Sequence, residues 1–200
     1  MCGRYLIDDE AFDLREIIAA AERNSQLNTA WSSFKSGEIF PGSYAPVIAS
    51  DNEPQFMLWG FPGMLAGKQP HINARSETAA SKRTFSDAMA SRRCLVPACG
   101  YYEWKAASKK QKERYEFTLP DRMPMYMAGI YTDDKFAILT RAASPPVAHI
   151  HDRMPVIFDK SLGAAWLGNK PDVIYEALTE LQTRHIPKTT EQQAQMDIFN

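Results

Sequence analysis

Residues 93–104 read RCLVPACGYYEW, and this stretch decides the fold. Two short runs of apolar, aromatic and β-branched residues flank a central Cys99-Gly100. Each run has the length and composition of a strand. The same texture recurs on both sides in YAPVIAS (44–50), QFMLWGF (55–61), YEFTL (115–119), MYMAGIYT (125–132) and FAILTRAA (136–143), with Pro, Gly, Asp or Asn between the runs. A short apolar stretch, GRYLI, opens the chain. Helical patterns are fewer. Residues 8–24, DDEAFDLREIIAAAERN, place acidic residues in a first turn and an apolar stripe at Phe12, Leu14, Ile17, Ile18 and Ala21. Residues 76–91, 161–168 and 172–184 are expected to be helical as well, and the polar segment 188–200 to fray. Strands outnumber helices and do not alternate with them, so the expected class is α+β: a mostly antiparallel sheet or open barrel with flanking helices, in one domain over 1–200. The charged stretch 106–116, AASKKQKERYE, is expected to be a solvated hairpin connection.

Composition narrows the function. With 44% hydrophobic and 24% charged residues the chain is of ordinary globular type. A formal net charge of −1 excludes a globally basic nucleic-acid binder but not a local basic groove, because a site feels the placement of charges and not their sum. No apolar run approaches the ~18 residues that span a bilayer, and no secretory leader is recognisable, so a cytoplasmic protein without a membrane partner is expected. The three cysteines, Cys2, Cys94 and Cys99, are too sparse for a disulfide framework or a zinc ribbon.

Four polar stretches interrupt the strand-like sequence: MCGR (1–4), INARSET (72–78), GYYEW (100–104) and HIHDRMP (149–155). Each has an ordinary explanation when taken singly. Glu103 could be the outward residue of an alternating strand, and Asn73 with Arg75 a turn and a surface ion pair. His149 and His151 could share one face of a strand and hold a metal, or form a polar turn with Asp152 and Arg153; no metal site is assigned to them. In order, however, MCGR, INARSET, RCLVPACGYYEW and HDRMPVI (151–157) resemble the SOS-response-associated peptidase family. SGEIFPGSYAPVI (36–48) and LWGF (58–61) fit the same pattern. The resemblance runs from Cys2 to about Phe158.

The resemblance implies a compact β-rich domain that recognises abasic sites in single-stranded DNA and links to them covalently. It implies Cys2 as nucleophile, Asn73, Glu103 and His151 as its active-site companions, and Arg4, Arg75, Arg83 and Thr140 as phosphate contacts. Trp104 and Arg153 complete the expected DNA-binding set. No cofactor is implied, and a monomer is expected. The chain departs from the family where FPGMLAG (61–67) follows the Trp-Gly pair. Met64 or Leu65 would there have to replace a tryptophan wedge. Cys99 likewise stands where a small polar residue is expected.

The residues themselves support this chemistry. Once Met1 is removed, residue 2 carries an α-amine (pKa ~7.7–8.0) and a thiol (~8.5) two carbons apart. The amine can condense with a ring-opened sugar aldehyde to a Schiff base, and the thiol can close a five-membered thiazolidine. His151 is suited to shuttling protons and Glu103 to orienting and deprotonating the amine. β-Elimination from the Schiff base would add strand-cleaving lyase activity. Two other classes use the same residues: a thiol peptidase built on Cys2, His151 and Glu103, and a non-covalent single-strand binder.

Overall fold

A computed structural model of the protein describes residues 2–25, 29–63, 69–108, 111–168 and 170–187. The two runs of RCLVPACGYYEW form consecutive strands, β6 (Arg93–Ala98) and β7 (Gly100–Ala106), but in different sheets. The remaining strands are β1 (Tyr5–Ile7), β2 (Gly37–Ile39), β3 (Tyr44–Ile48), β4 (Pro54–Trp59), β5 (Asn73–Arg75), β8 (Lys112–Thr118), β9 (Met125–Thr132), β10 (Lys135–Ala142), β11 (Arg153–Pro155), β12 (Ile157–Phe158) and β13 (Gln182–Ile186). Helices are α1 (Phe12–Asn24), α2 (Ser76–Ala79), α3 (Ser86–Ser91), α4 (Pro145–Ala148) and α5 (Lys160–Leu167). The fold is α+β and mostly antiparallel, as the sequence suggests.

Strands β10, β4, β3, β6 and β9 pair in that order, and β9 pairs back onto β10. The expected open barrel is therefore a closed one, antiparallel at every seam except β4–β10. Closure leaves no unpaired edge in the ring. Alternation sorts its side chains: Cys94, Val96, Met127, Phe136 and Ile138 fill the interior, while Leu95, Ala128, Ala137 and Leu139 join an outer cluster under α3 and α5. Both faces of β6 are thus covered, which explains why RCLVPA is buried throughout and not alternating. Arg93 is buried too, its guanidinium donating to the carbonyls of Met89, Ala90, Trp166 and Gly168 at the ends of α3 and α5.

The second sheet has the order β13–β8–β7–β1–β2 and is antiparallel. The chain passes from barrel to sheet at Cys99, whose N–H donates to Leu6 O at 2.8 Å. Tyr5, Ile7, Tyr101 and Phe117 pack the inner face of this sheet against the barrel core.

Three helical expectations change. The first helix starts at Phe12, because Asp8 accepts from the Glu10 N–H and its carbonyl from the Ala11 N–H in a preceding turn. Residues 76–91 break into α2 and α3, separated by a turn at 81–85. Segment 172–184 is not a helix: a 3-10 turn, Pro171–Glu176, leads to β13, which pairs with β8 over Gln182–Ile186. A free strand edge on β8 overrides the weak helical pattern there. The 106–116 connection is a hairpin, but β7 and β8 extend into it from both ends. Met64, Leu65 and the segment 188–200 lie outside the described residues.

Candidate active site

Cys2 precedes β1, and the antiparallel β1–β7 register, with the Tyr102 N–H donating to Arg4 O at 2.9 Å, carries residues 2–4 alongside residues 102–104. The Cys2 side chain is 0% exposed and joins the core beside Tyr5 and Tyr101. Asn73 enters from the barrel on β5, which pairs with β10, and its Nδ2 donates to Cys2 O at 2.8 Å. Glu103, 3% exposed, faces inward, so the alternative of an outward strand residue does not hold. Burial raises its carboxyl above the ordinary range, with His151 acting against the rise. Burial, and then the Glu103 charge, raise the Cys2 thiol above its ordinary value as well.

His151 does not share a strand face with His149. His149 closes α4, and His151 sits in the turn between α4 and β11. The Arg153 backbone N–H donates to His151 Nδ1 at 3.0 Å. In the neutral ring Nδ1 is therefore an acceptor and the proton sits on Nε2, 4.0 Å from Glu103 Oε2. Asp152 Oδ1 lies 3.0 Å from Nδ1 and offers a carboxylate to a second proton there. Cys2, Asn73, Glu103 and His151 thus come from four separate segments to one place. Around them, the Tyr5 and Tyr101 hydroxyls and Asn73 Oδ1 are buried with no hydrogen-bond partner among the described residues. Orphaned polar atoms of this kind suit a polar ligand. No group of three His, Cys, Asp or Glu is placed to hold a metal among the described residues.

The expected phosphate contacts are more scattered. Arg75 is exposed on β5, in register with Thr140 on β10, and Arg83 is exposed in the turn between α2 and α3. Thr140 is buried, its hydroxyl donating to Ala74 O at 3.5 Å. Arg153 makes a bidentate pair with Glu77 at 2.7 and 2.8 Å and also donates to Thr140 O at 2.6 Å. This guanidinium holds the Glu77 carboxyl down to about 2. Arg4 lies over Phe40 and Trp104, at 4.3 and 5.0 Å from the ring centroids, and pairs with Glu38 at 3.3 Å. Glu38, Phe40, Glu77 and Arg114 escape sequence reasoning. Glu77 lies within INARSET, where a signal existed, but Arg114 is brought to Trp104 only by β7–β8 pairing.

Fold and site together define a closed barrel with a side sheet, holding Cys2 among a carboxylate, an imidazole and an amide. Residues 1–195 match the SOS response associated peptidase (SRAP) family, and the chain belongs to that family. It is 30% identical to the abasic site processing protein YobE of Bacillus subtilis, covering 89% of this chain and 88% of that protein. It is 27% identical to YedK of Escherichia coli, another abasic site processing protein, over 84% and 79% of the two chains. A crystal structure of a Bacteroides thetaiotaomicron protein has the same fold, with a TM-score of 0.74 at 20% identity, over 94% and 93% of the two chains. Membership places the protein among those that handle abasic DNA damage. Among the described residues, no helix is long and apolar enough to cross a membrane.

Proposed function

We propose that the protein captures abasic sites in single-stranded DNA as a covalent thiazolidine on Cys2 after removal of Met1. The observation that carries this reading is the convergence of Asn73, Glu103 and His151 on Cys2, at the chain position where an amine and a thiol occur together. In the first step the α-amine attacks the sugar aldehyde carbon and water leaves, giving an imine. In the second, the thiol sulfur adds to that carbon and its proton moves to the nitrogen. Glu103 accepts the ammonium proton, and His151, in the imidazolium form whose second proton on Nδ1 faces Asp152, donates from Nε2 to the departing oxygen and is left as the neutral ring. Asn73 fixes the Cys2 backbone through its carbonyl. Arg75 and Arg83 are exposed for phosphate contact, whereas Arg153 and Thr140 reach a phosphate only if it displaces Glu77 or the Ala74 carbonyl.

The raised thiol favours an amine-first route over thiolate-driven peptide hydrolysis, which needs the ionised sulfur at the outset. β-Elimination from the imine remains a side reaction of the same intermediate. The test mixes Met1-free protein, verified by mass spectrometry, with single-stranded DNA carrying one abasic site. A product that survives heat and detergent, forms only on the lesion and vanishes in Cys2→Ala is expected. Its absence would overturn covalent capture, and unchanged retention in Cys2→Ala would assign a non-covalent binder.

A further inference from the structure

Two hollows with volumes of about 330 and 760 Å³ run together over the barrel surface beside α1 and α5. They meet at Asp13, Tyr126 and Lys160, which line both. Their floor is apolar, with Ile17 and Leu95 in the smaller hollow and Met123 and Leu178 in the larger. Met123, 53% exposed, is one of the few large apolar side chains open to solvent. The turn that presents it holds Asp121 and Arg122 both at a φ of 53°, a strained left-handed conformation of the kind that clusters at ligand clamps. The rim is acidic. Asp13, Glu16, Glu176 and Glu180 line the groove without an ion-pair partner among the described residues, and Lys160 is the one cation there. Tyr126 is only 5% exposed, yet its hydroxyl has no hydrogen-bond partner among the described residues. None of these residues belongs to the Cys2 site or to the expected DNA-binding set.

We propose that this groove docks a peptide segment of another protein, one that carries large apolar side chains and several lysines or arginines. Apolar hollows with a few polar groups are the usual form of a binding site, and a flexible methionine suits a surface that receives varied side chains. The unpaired carboxylates set the sign of the partner's charge. Opposite charges across an interface steer the encounter, and like charges exclude the wrong partner. Nucleic acid and anionic lipid are therefore repelled here. The Tyr126 hydroxyl, nearly buried and unpaired, has a hydrogen bond to give, and a peptide carbonyl accepts it. Burial, and then the Asp13 charge, keep that phenol protonated. The closed ring offers no strand edge, so the segment engages through its side chains and does not extend a sheet. The chain's own segment 188–200 sets Glu191 and Asp197 against a single lysine, so its charge does not match the rim. Because the groove shares no residue with the Cys2 site, a lesion and this partner can be held together. The inference therefore stands apart from covalent capture.

The experiment titrates a short synthetic leucine–lysine peptide, its leucines on one helical face, into the isotope-labelled full chain and maps the amide and methyl shifts. The shifts are expected to concentrate at Ile17, Leu95, Met123 and Tyr126. The same peptide with glutamate for lysine should bind far more weakly, and so should spermine, a polycation without apolar anchors. Glu16→Lys combined with Glu176→Lys, both at exposed positions, should weaken binding about tenfold and flatten its salt dependence. Met123→Asp should also weaken it about tenfold, and Tyr126→Phe, which removes only the hydroxyl, by a few-fold. Thermal melts verify that each variant folds, and capture of abasic DNA should be unchanged in all of them. Shifts that lie elsewhere, equal binding by the glutamate peptide or by spermine, or folded variants that bind like wild type would overturn the proposal. Groove signals that move with protein concentration alone would assign the face to a second copy of the chain and overturn it too. Wild-type protein that binds the peptide in the groove but fails to capture abasic DNA would refute the Cys2 reading alone.

Discussion

Cys2 combines a side chain sealed in the core with a main chain held by Asn73. For such a residue the two nucleophiles should separate cleanly by substitution. Cys2→Ser keeps the amine but loses the sulfur. It should give an abasic-DNA adduct that heat destroys and that borohydride reduction traps, whereas wild-type adducts survive untreated. Glu103 adds a pH signature. Its carboxyl is raised by burial, so the acid form persists above the ordinary carboxylate range. Crosslinking that needs the ionised form rises as pH passes upward through that raised value. In Glu103→Gln the limb that belongs to this carboxyl should disappear, leaving only the rise set by the amine's own deprotonation, and the rate should fall by about 10²- to 10⁴-fold, the usual contribution of general acid–base catalysis. Single-turnover rates across a pH series check both. The identities of Cys2, Asn73, Glu103 and His151 are legible in the sequence because each sits in a short polar interruption of strand-like text. The tautomer of His151 is not legible, since it depends on a backbone N–H two residues on that points back at Nδ1.

Among the elements, the Arg153–Glu77 pair ties α2 to β11, and Arg153 in turn supplies the N–H that orients His151. Because Glu77 titrates lower in the folded chain, the pair stabilises at pH values above the ordinary carboxylate value. That contribution is lost as pH falls from about 4.5 to about 2. Melting curves of wild type and Glu77→Gln should therefore differ at neutral pH and converge across this window. The passage from β6 to β7 gives a second element-scale prediction. A Cβ on Gly100 would come within 2.8 Å of Phe117 O and 3.1 Å of Thr118 Cγ2, so β8 crowds it. Gly100→Ala should destabilise by about 1–3 kcal/mol in denaturant unfolding. Strand runs such as 125–132 and 136–143 are legible from composition, yet β2, β5, β11 and β12 are not. At two or three residues each they carry no period to read, and exist because β1, β9 and β10 offer them hydrogen bonds.

Across the whole molecule, the last described strand returns to the second sheet and is pinned there by Glu116. This buried carboxylate takes Arg184 at 2.6 and 2.9 Å and Arg122 at 3.2 Å. Both arginines are half exposed or more, so the pair acts by fixing β13 and not by neutralising a buried cation. Glu116→Gln should leave the barrel folded but speed tryptic cleavage after Arg184, read by mass spectrometry of timed digests. The sequence by itself determined the α+β class, the polar stretches that carry the chemistry and the place of the cysteine. These follow from local composition and from residue identity, which need no neighbours in space. Only the tertiary structure decided that the barrel closes, that residues 182–186 form a strand, that Arg153 is taken by Glu77 and that Arg114 meets Trp104. Each of these depends on which segments meet across long stretches of chain. Pairing energy between such segments outweighs the local preferences that a sequence displays.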